Sequence, residues 1–335
     1  MTAPDLPAEL KAALDARLQG LSRNDAAERA ARISQTYRAG GGSSAIRTEA
    51  DALVYALARM PATYAAVTAS LNALREIVPD FAPKSLLDVG AGPGTATWAA
   101  AEAFSSLQSF TLLDANSALR ALALDLGRGG MRLRDMTYQR GEARAALADA
   151  KAADLVVASY MIGETNDAER KMLAELMWAK TRDTLVIVEP GTPAGYARII
   201  ALRQQLIASG AHVAAPCPHD GNCPLTAPDW CHFTQRLPRS RAHKQLKSAE
   251  LPNEDEKFSY VALTRAPVAQ HPARVLAQPV VTKVEVTAKL CTPGGLVIAK
   301  VPRRAKTDYA RARRWRWGDA VMEFTADRPG ESGDP

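Results

Sequence analysis

The chain has 335 residues, 47% hydrophobic and 23% charged, enough apolar material for a full core and enough length for roughly two domains of ~150 residues. Its apolar runs, such as TLVIVEP at 184–190, fall far short of the ~20 residues that a membrane-spanning helix needs, and its first twenty residues carry acids without an apolar stretch. Neither a membrane protein nor a secretory or transit leader is expected, which leaves a cytoplasmic protein. The net charge of +6 is uneven: residues 1–231 hold 23 Lys+Arg against 25 Asp+Glu, residues 232–316 hold 18 against 6, and the last nineteen hold 1 against 5. A basic block of that size implies a polyanionic partner, nucleic acid before any other, for the second half of the chain.

Leu10, Leu14, Leu18 and Leu21 recur at helical spacing and predict a helix over residues 6–38. The run Gly40-Gly41-Gly42-Ser43-Ser44 breaks it. Two more helices are expected, Thr48 to Arg59 and Pro61 to Val78, with Pro61 in the first turn of the second. Residues 1–80 therefore read as a helical region.

From there to residue 210, short apolar runs alternate with helical stretches. SLLDV (85–89), SFTLLD (109–114), a weaker run near 131–138, DLVVAS (154–159) and TLVIVEP are strand candidates, separated by helices near 95–106, 117–126 and 168–180 and followed by one over 193–208. Strands alternating with helices indicate an α/β fold, a Rossmann-like parallel sheet that binds ligands at the C-terminal ends of its strands. The segment LLDVGAGPGTAT (86–97) ends a strand on Asp88 and follows with Gly90, Gly92 and Gly94 before a helix. Glycines there let the backbone turn sharply and let a ligand approach where a Cβ would clash.

After Ser209 the texture changes. Residues 211–240 are rich in Pro, Cys and His, and FSYVALT (258–264) reads as a strand that completes the sheet. KVEVTAKL (283–290) alternates strictly, with Val284, Val286, Ala288 and Leu290 on one face, and LVIAKV (296–301) returns antiparallel after Thr292-Pro293-Gly294-Gly295. All four cysteines lie here, as Cys217-x5-Cys223-x7-Cys231-x59-Cys291. Folding the hairpin back on the loop brings four thiolates together, a set that suits an iron–sulfur cluster or zinc, with unligated thiols as the remaining reading. Zinc sites mostly use tighter Cys-x2–4-Cys knuckles, though His219 and His232 adjoin the thiols and can ligate zinc.

Two basic stretches flank this set. RLPRSRAHKQLK (236–247) contains Arg236, Arg239, Arg241 and Lys244. KVPRRAKTDYARARRWRWGD (300–319) contains Lys300, Arg303, Arg304, Lys306, Arg311, Arg313, Arg314 and Arg316, with Tyr309, Trp315 and Trp317 interleaved. Arginines neutralise phosphates and aromatic faces stack on unpaired bases, so an RNA surface is expected, against the alternative of tryptophans docked inward. Residues 211–318 thus form a cysteine-rich, basic extension, and 319–335 a flexible acidic tail.

The glycine segment with its preceding acid resembles motif I of class I S-adenosylmethionine (SAM)-dependent methyltransferases. That resemblance implies SAM or its demethylated product, S-adenosylhomocysteine, held around Asp88, Gly90, Gly92 and Gly94, with Asp114 on the ribose hydroxyls and Glu142, in Arg140-Gly141-Glu142-Ala143, on the adenine amino group. The Asn/Asp-Pro-Pro-Tyr/Phe of amino-methylating members is replaced by Ser159-Tyr160-Met161-Ile162-Gly163-Glu164, leaving Tyr160 and Glu164 as the candidate catalytic groups and methylation itself undecided. Over a longer span, Ser22 to Gly318, the chain resembles the methyltransferase-like assembly factors of the mitochondrial small ribosomal subunit and their bacterial counterparts. The matching text is LLDVGAGPGTATWAA, VEPGTPAGYARIIALR, APCPHDGNCPL, DWCHFTQRLPRS, FSYVALTR and Cys291. This implies a [4Fe–4S] cluster on Cys217, Cys223, Cys231 and Cys291, and small-subunit rRNA or the assembling subunit as partner. It further implies a monomer off the ribosome, in a bacterial cytoplasm or, in a eukaryote, the mitochondrial matrix.

Overall fold

The computed structural model describes residues 5–18, 22–239, 251–269 and 272–322. The N-terminal stretch is two helices where one is expected, α1 (Ala8–Leu18) and α2 (Arg23–Arg38), the second opened by Ser22, whose hydroxyl accepts from the Asp25 N–H. The reverse holds at Pro61: the two helices expected there are one, α3 (Glu49–Ile77), with Pro61 inside it. A proline forgoes one helical bond, but Ala56, Leu57 and Met60 before it and Tyr64, Ala65 and Ala66 after it all bury, and that continuous packing outweighs the lost bond. Thr48 and Asp51 close the start of α3 as a capping box. Asp51 is also gripped by Arg29 at 2.8 Å and by Arg32, which ties α2 to α3.

The main sheet is built from β1 (Ser85–Val89), β2 (Ser109–Asp114), β3 (Thr137–Arg140), β4 (Ala153–Ser159), β5 (Thr181–Pro190), β6 (His212–Ala215), β7 (Phe233–Pro238) and β8 (Asn253–Thr264). Its order is β3-β2-β1-β4-β5-β8-β6, with β7 also on β8; the first five strands are parallel, and β8 runs antiparallel to β5 with Val186 opposite Ala262. Helices α4 (Thr95–Ala103), α5 (Ser117–Arg128), α6 (Ala143–Asp149), α7 (Asp167–Ala179) and α8 (Pro193–Ala208) complete the crossovers.

Both faces of this sheet are covered, so its central strands carry apolar residues on both sides, with Asp88 and Glu189 as buried exceptions near their C-terminal ends. Successive residues serve opposite cores: Leu86, Leu112, Leu155 and Val186 pack toward α3, α4 and α5, while Leu87, Leu113, Val156 and Ile187 pack toward α7 and α8. Strands β6 and β7 lie along the same edge of β8 and point the same way, β6 beside residues 262–264 and β7 beside 253–258. Residues 216–232, with three of the cysteines, are thus an excursion from one interrupted edge strand.

A second, smaller sheet comprises β9 (Ala273–Val275), β10 (Val280–Val281), β11 (Glu285–Thr292), β12 (Gly295–Pro302) and β13 (Ala320–Val321). β11 and β12 form the expected hairpin, closed at Thr292 opposite Gly295. Val286, Ala288 and Leu290 are buried as their alternation predicts, but Val284 precedes the strand and is 71% exposed. Helix α9 (Lys306–Ala312) covers this sheet through Tyr309, Ala312 and the adjoining Trp315. Of the tail expected from residue 319, Ala320 and Val321 instead pair with Arg274 and Ala273; residues 323–335 lie outside the described residues.

Candidate functional site

The turn after β1 needs its glycines: φ is +66° at Gly90, +52° at Gly92 and +81° at Gly94, a region costly for any residue with a Cβ. A Cβ on Gly90 would stand 2.6 Å from Met161 Cβ, whereas one on Gly92 would meet only Leu119 at 3.9 Å. Gly92 therefore faces open space. That space is a cavity of about 730 Å³ at the C-terminal ends of β1, β2 and β4, lined by Gly90, Gly92, Asp114, Glu142, Tyr160 and Glu164 among others.

Asp88 and Gly94 sit beneath the turn, off the cavity wall. Asp88 Oδ2 accepts from Thr97 N at 3.1 Å and Thr97 Oγ1 at 2.7 Å, pinning the first turn of α4. Its other oxygen is buried without a partner, and burial pushes this carboxyl up to about 7. Asp114 accepts from Gly92 N at 2.9 Å and Asn116 N at 2.7 Å, so it shapes the turn it faces; burial raises its pKa too.

Several residues that brace or line the cavity carry no signature in sequence. The Tyr138 hydroxyl donates to Gly92 O at 2.7 Å, and the Asn116 amide donates to Ile46 O at 2.9 Å, anchoring the N-terminal region at the mouth. Gly41, Ser43 and Ser44, in the run that breaks the helical pattern, line that mouth with Tyr37 and Tyr55, whose rings stack at 5.7 Å. At Gly42, φ is +53° and a Cβ would fall 2.3 Å from Glu164 Oε2, so this position is glycine because Glu164 closes against it.

Tyr160 is the one non-glycine at positive φ among the described residues, +56°. Its N–H bonds Val188 O at 2.8 Å and its hydroxyl donates to Glu256 Oε1 at 2.7 Å, under the Arg59 guanidinium. Burial raises Tyr160 and Glu164 well away from ionisation and toward protonation respectively. Both residues also line a second chamber of about 940 Å³ between α2, α3 and the end of β5, where Arg198 holds the fully buried Glu189 at 2.8 Å.

The cysteines converge as the folded-back hairpin requires: Cys217, Cys223, Cys231 and Cys291 line one small cavity with Tyr196, Arg203 and Arg274. No disulfide joins them. Burial raises the Cys217, Cys231 and Cys291 thiols, the last to about 12, and the neighbouring arginines act in the opposite direction. Among the described residues no three His, Cys, Asp or Glu side chains stand close enough to enclose a single ion. Four thiols around one cavity nonetheless form a donor set suited to a sulfur-ligated group. His219 approaches Cys291 Sγ at 3.7 Å, while His232 turns away, stacking on Trp230 and meeting Trp317 edge-on.

Of the basic residues, Lys300, Arg303, Arg304, Lys306, Arg311, Arg313, Arg314 and Arg316 are all exposed, on and after β12. Trp315 and Trp317 are half-buried, each packed on one side against a core, so only part of each ring faces solvent. Arg236 faces Asp255 at 3.5 Å and Arg239 is held by Glu254 at 3.2 Å; Arg241 and Lys244 lie outside the described residues.

Five parallel strands in the order 3-2-1-4-5, an antiparallel strand beside the fifth, and a ligand-ready glycine turn after the first define a class I methyltransferase fold. The family profile described as mitochondrial small ribosomal subunit Rsm22 matches residues 49–322, and the chain belongs to that family. The human ribosome assembly protein METTL17, mitochondrial, is 31% identical over 309 residues, 86% of this chain and 66% of the human one. The mitochondrial Rsm22-cox11 tandem proteins 1 and 2 of Schizosaccharomyces pombe are each 26% identical over 249 residues, 67% of this chain. The chain spans 33% of their length. Among solved structures, magnesium protoporphyrin IX methyltransferase from Synechocystis PCC 6803 with bound SAM aligns over 69% of this chain and 90% of its own, at TM-score 0.40 and 10% identity. Among the described residues no helix is long and apolar enough to cross a membrane.

Proposed function

We propose that this protein is a SAM-binding assembly factor for the small ribosomal subunit, carrying a [4Fe–4S] cluster on Cys217, Cys223, Cys231 and Cys291 and meeting rRNA through the basic surface around β12 and α9. The observation that carries the reading is the shared cavity of four cysteines, drawn from the edge-strand excursion and from β11, because it joins a nucleotide-binding sheet to a basic one. A fully thiolate-ligated cluster offers no open position for a substrate, and its place between the two sheets gives it a structural role: it fixes the basic sheet on the methyltransferase fold. Family membership and the human relative's description as a ribosome assembly protein support the partner. A monomer off the subunit, working in the cytoplasm of a bacterium or the matrix of a mitochondrion, fits this role.

The test is iron, acid-labile sulfide and zinc analysis of anaerobically purified protein, with co-sedimentation on small subunits. Four iron and four sulfide per chain, lost in Cys217→Ser together with subunit binding, is the expected result. One zinc and no sulfide would replace the cluster by a zinc-stabilised binding module. Undiminished subunit binding by a cluster-free Cys291→Ser would refute the structural role.

A second reading, an active rRNA methyltransferase, is favoured by the strained backbone of Tyr160, since a costly conformation persists where surrounding structure over-determines it, often at functional sites. The chamber it shares with the cofactor cavity leaves room for an acceptor. Tritium transfer from labelled SAM to assembling subunits, abolished in Gly92→Ala, would establish it.

A further inference from the structure

Two arginines are the most deeply buried cations among the described residues, and both stand at the cysteine cavity. Arg203, on α8, and Arg274, on β9, are each 1% exposed. Arg203 Nη2 donates to His219 O at 2.6 Å, and its Nε is buried with no partner. Arg274 pairs in register with Cys291 across the strands, and donates from Nε to Pro216 O at 3.2 Å and from Nη1 to Gly318 O at 2.8 Å. Between them they grip the chain on both sides of Cys217.

Their charges are poorly matched by carboxylates. Among the described residues Arg203 has no carboxylate within 4 Å, and Arg274 has only Glu76 at 4.0 Å, itself 60% exposed, and the half-buried Asp319 farther off. A buried cation without a counter-charge is expensive, so a fold that places two together needs negative charge nearby. Four neutral thiols do not supply it. Four thiolates around a [4Fe–4S] core of charge 2+ carry a net charge of −2, the count that two guanidinium groups offset.

We propose that Arg203 and Arg274 are the built-in counter-charges of the four-cysteine group, and that Arg203, with its unpaired Nε, sets the group's reduction potential. The proposal rests on the cluster reading above. Removing a positive charge beside the cluster disfavours the added electron, so Arg203→Met lowers the midpoint potential, whereas Arg203→Lys keeps the charge and stays near wild type.

The experiment uses full-length chain purified anaerobically as wild type, Arg203→Met and Arg203→Lys, with iron and sulfide counted and the midpoint read by spectroelectrochemistry. The expected shift for Arg203→Met is at least tenfold in the reduction equilibrium, 59 mV for a one-electron couple, with most of it recovered in Arg203→Lys. A loaded Lys variant beside a Met variant that fails to hold the cluster also supports the assignment. An unchanged potential in Arg203→Met, or equal shifts or equal loss of cluster in both variants, overturns it. Wild-type protein without iron or sulfide refutes the cluster reading itself, and this assignment with it.

Discussion

Substituting Gly92 by alanine separates folding from ligand binding at the glycine turn. The new Cβ meets nothing nearer than Leu119 at 3.9 Å, so the folded state bears only the cost of a side chain at φ +52°, about 1–2 kcal/mol. At ~2–4 °C per kcal/mol for domains of a few hundred residues, the melting temperature falls by several degrees and the protein still folds. The added methyl projects into the cavity that Gly92 lines, where a bound nucleoside would approach. Wild type should be stabilised by roughly 2.7 kcal/mol when S-adenosylhomocysteine is present at a hundred times its Kd. Gly92→Ala should lose most of that gain, read by thermal unfolding with and without ligand and by calorimetric titration. Gly90→Ala is the contrast, because 2.6 Å from Met161 Cβ adds overpacking to the backbone cost, about 2–5 kcal/mol in all. If Gly92→Ala kept the full ligand-induced shift, the cavity would not be where the cofactor binds.

Asp88, raised to about 7 by burial against an ordinary carboxyl near 3.8, folds best when protonated; its contribution is intact below pH 4 and turns unfavourable as pH rises through 7, by up to about 4 kcal/mol. Asp88→Asn, which keeps an acceptor for Thr97, should flatten that slope in urea unfolding at pH 5 and pH 8; an identical slope would refute the assignment. Asp51 runs the other way: burial works against its charge, but Arg29, Thr48 and two backbone N–H groups prevail and hold it at about 2, so its stabilisation is present above pH 4 and disappears as pH falls toward 2. After allowance for solvent screening, Asp51→Asn should cost on the order of 1–2 kcal/mol at pH 7 and little at pH 2, measured by chemical unfolding. Replacing Arg303, Arg304, Arg313 and Arg314 together by alanine should leave melting nearly unchanged, since all four are exposed, while weakening rRNA binding and making its salt dependence shallower by up to about four phosphate contacts. An unaltered salt slope would move the RNA surface elsewhere.

The parallel part of the sheet was legible in the sequence because both its faces are buried, which leaves short apolar runs that alternate with helical stretches; β6 and β7 carried no such run. The glycine turn was legible because positive φ restricts residue type, and the approach of Cys291 to the loop cysteines because the alternating strand and its turn announced a hairpin. Pro61 misled because a local rule about helix starts is weaker than the burial of nearly every face of α3. The tryptophans near the C-terminus were ambiguous, since an aromatic between arginines looks alike whether it faces a base or a core. Arg203 was visible only as the last letter of VEPGTPAGYARIIALR. Its meaning comes from helical geometry, which puts Tyr196, Ile199, Ile200 and Arg203 on one face of α8 toward the cysteines. Asn116, Tyr138 and the Gly40–Ser44 run act through tertiary contacts to distant residues, and no spacing along the chain announces them.

The interrupted strand at the edge of the main sheet has a consequence for self-association. An uninterrupted run from β6 through β7 would present a long row of unpaired backbone groups, a template for the edge of a second molecule. Lifting residues 216–232 out of it leaves pieces of four and six residues, the second ending on Pro238, which has no N–H to offer. The excursion that carries the cysteines thereby also keeps the sheet from growing into its neighbours.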